Sequence, residues 1–155
     1  GCQNSFTWEP DCGQLFTEWE EGEIWEQLNN PYIRGITFSG GDPLFYSNRE
    51  EIGKLAKKIK EVKPEKDIWL YTGYELNISN SGEKYFINIK TGESFSIDWV
   101  DCIDIIVDRP FEQETRQKDL ENKTGIYWAG SSNQRVIDVK ASISDIVELP
   151  GINRN

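Results

Sequence analysis

Histidine and methionine are both missing from this 155-residue chain. Without an imidazole it has no Ser-His or Cys-His dyad, no His-ligated zinc and no His proton shuttle, which closes three common routes to catalysis. Cysteine is scarce and odd in number: Cys2, Cys12 and Cys102. In a chain without a signal-peptide pattern such a set is not a disulfide framework, and spacings of ten and ninety match no zinc site. No stretch approaches the roughly 18 consecutive apolar residues of a membrane span. Basic residues are also few, 17 against 27 acidic, and the net charge of −10 excludes nucleic acid or an anionic membrane as the main partner. A cytoplasmic location is expected.

What is present points to a packed core. Apolar residues are only 37% of the chain, but 6 Trp, 6 Tyr and 7 Phe supply large buriable surfaces. The length suits one domain. Thr17-Glu18-Trp19-Glu20 has the form of a capping box, predicting a helix from about Thr17 to Leu28. Arg34 to Phe38 reads as a strand. Asn48 and Glu51 bracket a second helix start, and Ile52, Leu55, Ala56, Ile59 and Val62 recur at helical spacing up to Pro64. Asp67 to Tyr71 is the next strand, and the strand-helix-strand order predicts parallel pairing with a right-handed crossover. Asn77 to Gly82 reads as turn; Tyr85–Ile89 and Ser94–Ile97 around Thr91-Gly92 read as a hairpin insertion. Ile103 to Val107 and Arg135 to Val139 read as further strands, with Cys102 a small core residue on the first of them. Glu112 to Lys123 reads as a loop with at most a helical turn.

In parallel α/β folds ligands are met at the carboxyl ends of strands. That rule selects Ser39-Gly40-Gly41-Asp42-Pro43, Tyr71 to Gly73, and Asp108. The paired glycines serve either a turn that needs positive φ or the close approach of backbone to ligand, and an amino-acid moiety suits such an edge. The run is not a phosphate-binding P-loop, because no Gly-Lys-Ser/Thr follows. Asp42 is a helix cap or a ligand acceptor. Cys12, among Glu9-Pro10-Asp11-Cys12-Gly13, is a solvent-facing turn thiol, and neither it nor Cys102 is assigned a function.

Five segments in order carry a resemblance: Cys2-Gln3-Asn4-Ser5-Phe6-Thr7-Trp8, Gly13-Gln14-Leu15-Phe16, Thr37 to Leu44, Asp67 to Tyr74, and Gly130 to Val139. The chain resembles the radical S-adenosylmethionine (SAM) enzymes that activate anaerobic ribonucleoside-triphosphate reductase, a group of glycyl-radical-enzyme activases. The resemblance implies an α/β fold, a partial (β/α) barrel with mostly parallel strands, here one domain over residues 1–155 that lacks its first strand and carries the hairpin insertion. It implies a Cys-x3-Cys-x2-Cys loop whose thiolates hold a 4Fe-4S cluster with one open iron. It further implies that reductive cleavage of SAM yields a 5′-deoxyadenosyl radical, which takes hydrogen from a glycine of the reductase. A low-potential electron donor such as flavodoxin is implied as a second partner.

Carried over residue by residue, the resemblance makes Cys2 the third cluster ligand. Ser39, Gly40, Gly41, Asp42 and Pro43 receive the amino end of SAM, and Thr72, Gly73, Asn133 and Arg135 lie where further SAM contacts fall. For Arg135 an ion pair at the surface or an interface is an equal alternative. The first two cluster cysteines would lie three and seven positions before Cys2, so the sequence is expected to be truncated at its amino terminus. Two departures stand out. Asp108-Arg109-Pro110-Phe111 replaces the family's Asp-Gly-Pro-Phe, placing a bulky cation where a turn calls for glycine. Trp128-Ala129-Gly130 replaces Trp-Arg-Gly and removes a positive charge. Two functions follow from these residues: an activase, or an inactive binding module retaining the SAM edge or the reductase-docking surface.

Overall fold

The computed structural model describes residues 13–150 and the backbone of residues 152 and 153. In chain order the elements are α1 (Glu18–Asn29), β1 (Gly35–Phe38), α2 (Arg49–Val62), β2 (Asp67–Tyr71), β3 (Glu75–Ile78), β4 (Lys84–Ile87), β5 (Ser94–Phe95), β6 (Ile105–Asp108), α3 (Gln113–Glu121), β7 (Gly125–Ile126), β8 (Arg135–Asp138) and β9 (Ile152–Asn153). The main sheet has the order β1-β2-β6-β8 and, among the described residues, does not close into a barrel. Its first three strands are parallel, as the strand-helix-strand pattern predicts, and β8 runs antiparallel to β6. A second, antiparallel sheet is built from β3, β4 and β5, and β7 pairs with β9. No helix among the described residues is long and apolar enough to cross a membrane.

The period-two alternation of strands explains the layering. In β2, Ile68 and Leu70 are buried and Asp67, Trp69 and Tyr71 are partly exposed. Register places Ile36 beside Ile68, Phe38 beside Leu70, and Leu70 beside Ile106, so one face of the sheet is continuous and apolar. The buried stripe of α2, Leu55, Ala56 and Ile59, joins the same core. The opposite face is open: a groove of about 880 Å³ runs along it, lined by residues that include Thr37, Trp69, Tyr71, Ile105 and Trp128.

The capping box at α1 forms as read, with the Thr17 side chain accepting from the early backbone and Glu20 reaching back to Thr17. Leu28 is buried, and Ile24 and Trp25 pack on the core edge. Three sequence expectations are corrected. Residues 112–123 hold a true helix, α3, which the apolar periodicity missed because the only side chain it buries is the polar Asp119. That carboxylate accepts the amide of Ser132, 2.9 Å away, and so anchors α3 by a hydrogen bond rather than a hydrophobic stripe. The turn expected over 77–82 begins only after β3, which adds a third strand to the hairpin. Cys102 lies in a 3-10 turn, Val100–Cys102, and not on a strand; it is half-buried at the core margin, and burial pushes its thiol pKa up, away from reactivity.

Gly53 marks the tightest contact between α2 and the second sheet's connection. A Cβ there would lie 2.4 Å from the indole nitrogen of Trp99, a buried and rigid ring. Gly53→Ala therefore loses more to overpacking than the about 1 kcal/mol it gains in helix propensity. A net loss of about 1–2 kcal/mol is expected in urea denaturation.

Candidate functional site

The candidate residues gather at the carboxyl ends of the parallel strands, in two clusters. The first joins the ends of β1 and β2 through one carboxylate. Asp42 Oδ1 accepts the amide of Leu44 at 2.9 Å and the hydroxyl of Thr72 at 2.8 Å, and Asp42 Oδ2 accepts the amide of Gly73 at 2.7 Å. The Leu44 contact is an Asx turn, for which Asp-Pro is a sequence signal. Asn48, read as a helix cap, makes no cap hydrogen bond; its amide instead donates to the carbonyl of Asp42 at 3.1 Å and lies 3.4 Å from that of Gly41. Asp42 thus ties the turn together. Pro43 and Leu44 are buried beneath it, while Ser39 and Gly40 are exposed.

Gly40 has φ +98, and a Cβ built on it meets nothing within 4 Å, so the positive φ and open space occur at the same residue. Among the described residues, nothing hydrogen-bonds to the backbone of Ser39 or Gly40. Among the described residues, the end of β1 therefore has backbone donors and acceptors without a hydrogen-bond partner, held from below by Asp42. Burial pushes the Asp42 carboxyl above the usual carboxylate range; the Gly73, Leu44 and Thr72 donors and the nearby Arg49 charge pull it back without cancelling the effect.

The second cluster lies at the end of β6. Asp108 is fully buried and faces Arg135 across the β6–β8 register. Its oxygens accept Arg135 Nε at 3.1 Å and the amide of Leu76 at 2.8 Å, and Arg135 Nη2 also donates to the Leu76 carbonyl at 2.8 Å. Of the two readings of Arg135, the structure supplies an ion pair, internal rather than at the surface. Asn133 donates to the Pro110 carbonyl at 2.8 Å and accepts the Ser131 hydroxyl at 2.6 Å. Gln134 accepts the Gly130 amide at 2.8 Å and donates to the Arg109 carbonyl at 2.9 Å. These bonds lock residues 130–134 onto residues 109–110.

Arg109 has φ +73, so the position where glycine was expected does adopt the left-handed conformation. Arg109 is held there by its amide on the Tyr74 carbonyl at 3.0 Å and by Nε on Glu75 at 2.8 Å. Trp128, next to Ala129, also has positive φ; its carbonyl accepts the Tyr71 hydroxyl at 2.7 Å and its ring lies 5.4 Å from that of Trp69. The stretch Thr72 to Glu75 connects the two clusters, because Thr72 N bonds Val107 O and Tyr74 O receives Arg109 N, each at 3.0 Å. Sequence reading gave Ser131 no role of its own at this site and took Asn48 only as a helix start. The Ser131 hydroxyl accepts the amide of Glu112, 19 residues away, at 3.1 Å, and no local pattern announces that. Cys2 and Cys12 lie outside the described residues. Among the described residues no cluster of three or more Cys, Asp or Glu could hold a metal.

Residues 1–137, which end within β8, match the model of a 4Fe-4S single cluster domain. The anaerobic ribonucleoside-triphosphate reductase-activating protein of Enterobacteria phage T4 is 39% identical over 136 residues, covering 88% of this chain and 73% of that protein. The protein of the same name from Escherichia coli K12 is 38% identical over 138 residues, covering 88% and 77%, and that of Vibrio cholerae is 33% identical over 136 residues, covering 86% and 76%. No solved structure matches. The fold and the matched domain define an α/β protein of the iron-sulfur cluster class. Within that class, the chain belongs to the family of anaerobic ribonucleoside-triphosphate reductase-activating proteins.

Two outcomes test this geometry. Removing Asp108 leaves Arg135, only 11% exposed, without its counter-charge. Asp108→Ala is expected to cost about 3–5 kcal/mol in denaturant titration; a change under about 1 kcal/mol would mean the pair is dispensable. Asp42 predicts the pH dependence. A carboxyl whose pKa is raised by folding binds its proton more tightly in the folded state, so its contribution is most favourable below the unfolded value and is lost as pH rises through the folded value. Wild-type stability relative to Asp42→Asn is expected to fall as pH climbs from about 3.9 and to level off once Asp42 is ionised. Urea melts at stepped pH would show a constant difference if burial did not govern this group.

Proposed function

We propose that this protein is a radical SAM activase that generates the glycyl radical of anaerobic ribonucleotide reductase, acting in the cytoplasm with a low-potential electron donor such as flavodoxin. The observation that carries the reading is the open backbone edge at Ser39–Gly40, braced by Asp42 at the carboxyl ends of parallel strands. Amide and carbonyl groups that have no partner among the described residues, with no Cβ at Gly40, suit the zwitterionic amino-acid end of SAM. The relatives' shared name supports the reductase as target, and the matched domain supports the cluster. A partial (β/α) barrel built on one domain is the architecture this reading requires, and the parallel β1-β2-β6 order with helices packed on one face is consistent with it.

Cys2 is proposed as a cluster ligand. When bound, the reduced cluster supplies the electron that breaks the sulfonium carbon–sulfur bond of SAM. The remaining work belongs to this chain's residues. Ser39, Gly40 and Gly41 offer backbone groups to the amino end. Asp42, Pro43, Thr72 and Gly73 hold that edge in place, since the Asp42 oxygens are already occupied from within. Asn133 and Arg135 shape the neighbouring wall through their bonds to Pro110 and Asp108. The groove along the open sheet face, with Trp69, Tyr71 and Trp128, provides an apolar and aromatic wall beside the edge that limits access of water.

The test is anaerobic. Protein reconstituted with ferrous iron and sulfide, then given SAM, a reductant and the reductase, is expected to yield a glycyl-radical doublet by electron paramagnetic resonance. SAM binding without that doublet, on protein carrying a stable cluster, would favour the binding-module reading. Failure to bind SAM at all would reject the activase and the SAM-edge module, leaving only a module that docks to the reductase.

A further inference from the structure

The three-stranded β3–β4–β5 sheet is linked to the Ser39–Leu44 turn through Arg49 and through Tyr74 and Thr72. Arg49, the first residue of α2, joins them: its Nε donates to the Leu44 carbonyl at 3.0 Å and its guanidinium lies 3.7 Å from the centre of the Phe95 ring. Phe95 is in turn enclosed by aromatic rings, with Tyr74 edge-on at 5.0 Å and Phe86 stacked at 5.7 Å. Tyr74 returns to the turn, because its amide donates to the Thr72 hydroxyl at 3.2 Å and that hydroxyl donates to Asp42. The circuit closes through the Asp42–Leu44 bond. The links run in series and meet the turn at Asp42 and Leu44, so its second half is held from two directions. Phe86 is fully buried, which roots the circuit in the core.

We propose that this second sheet is a buttress for the cofactor edge, with Arg49 and Phe95 as positioning residues that hold the Ser39–Leu44 turn in its binding geometry; the cofactor part rests on the SAM reading above. Arg49 suits the task where lysine would not. A planar guanidinium lies over an aromatic face while its Nε–H, in the guanidinium plane, points toward a carbonyl, and an ammonium cannot do both with one fixed geometry. Neither residue touches the open Ser39–Gly40 edge; they act through Leu44, Tyr74 and Thr72.

The experiment compares Arg49→Lys, Phe95→Leu and Phe95→Tyr with the unsubstituted protein, by amide hydrogen exchange and by equilibrium dialysis of SAM on reconstituted protein. Arg49→Lys and Phe95→Leu are expected to speed exchange at Leu44 and Gly73 and to weaken SAM binding about fivefold. Phe95→Tyr, which keeps the ring, is expected to restore both. Exchange within the β1–β2 ladder should stay unchanged, which separates positioning from general loosening. Arg49→Lys lies at a half-exposed helix start and carries the test if Phe95→Leu does not fold. Unchanged exchange at Leu44 and Gly73 overturns the buttress. Faster exchange with undiminished SAM affinity overturns its link to the cofactor. If the unsubstituted protein binds no SAM, the cofactor reading fails, and exchange alone decides whether Arg49 and Phe95 hold the turn.

Discussion

Where strands of a parallel sheet end, their next backbone amides lose their ladder partners, and a buried amide without an acceptor costs about as much as a lost hydrogen bond. Near the ends of this sheet three aspartates accept backbone amides, beyond the strands at Asp42 and within β3 and β2 at Asp108 and Asp104. Asp42 accepts the amides of Leu44 and Gly73 beyond β1 and β2, and Asp108 accepts that of Leu76. At the other end of the sheet Asp104 accepts the amide of Ile68 at 2.7 Å. Each carboxylate bridges segments distant in sequence, so the loops at both ends follow the sheet closely instead of extending into solvent.

The three differ in how their charge is compensated. Asp104 lies between Lys60 and Lys140, each within 2.6 Å, and although burial opposes ionisation, those cations and the Ile68 amide hold its pKa below the usual range. Asp108 has the Arg135 guanidinium. Asp42 has hydrogen-bond donors but, among the described residues, no cation in contact, and burial raises its pKa. The incompletely compensated carboxylate is the one beneath the open backbone edge. Carboxyls with pKa values shifted by burial cluster at functional sites, which makes this turn a candidate site.

Much of this was legible in the sequence because the signals were local. The Thr17–Glu20 capping box, the apolar stripe of α2 and the compact run of β2 are set by neighbours a few positions apart, and all three formed where expected. The left-handed conformation at Arg109 was expected on other grounds, from the family resemblance, whose Asp-Gly-Pro-Phe has glycine at that position. What failed depended on distance. α3 has no apolar stripe and is anchored by Asp119 to Ser132; β3 is polar enough to pass for a turn and is a strand only because β4 pairs with it. Asp42 was undecided between cap and ligand, since the bonds that settle its contacts come from Thr72 and Gly73, about thirty residues on.

The two kinds of fastening described here respond differently to ionic strength. The wall at residues 130–134 is held by the amides of Asn133 and Gln134, which are neutral, and by a charge pair removed from solvent. The bridges Lys54–Glu51, Lys57–Asp98 and Lys84–Asp101 each have at least one strongly exposed partner. Added salt weakens exposed pairs over a Debye length of about 8–10 Å and hardly reaches buried ones. Raising salt thus loosens the outer ion pairs of this acidic chain while leaving the walls of the candidate site in place.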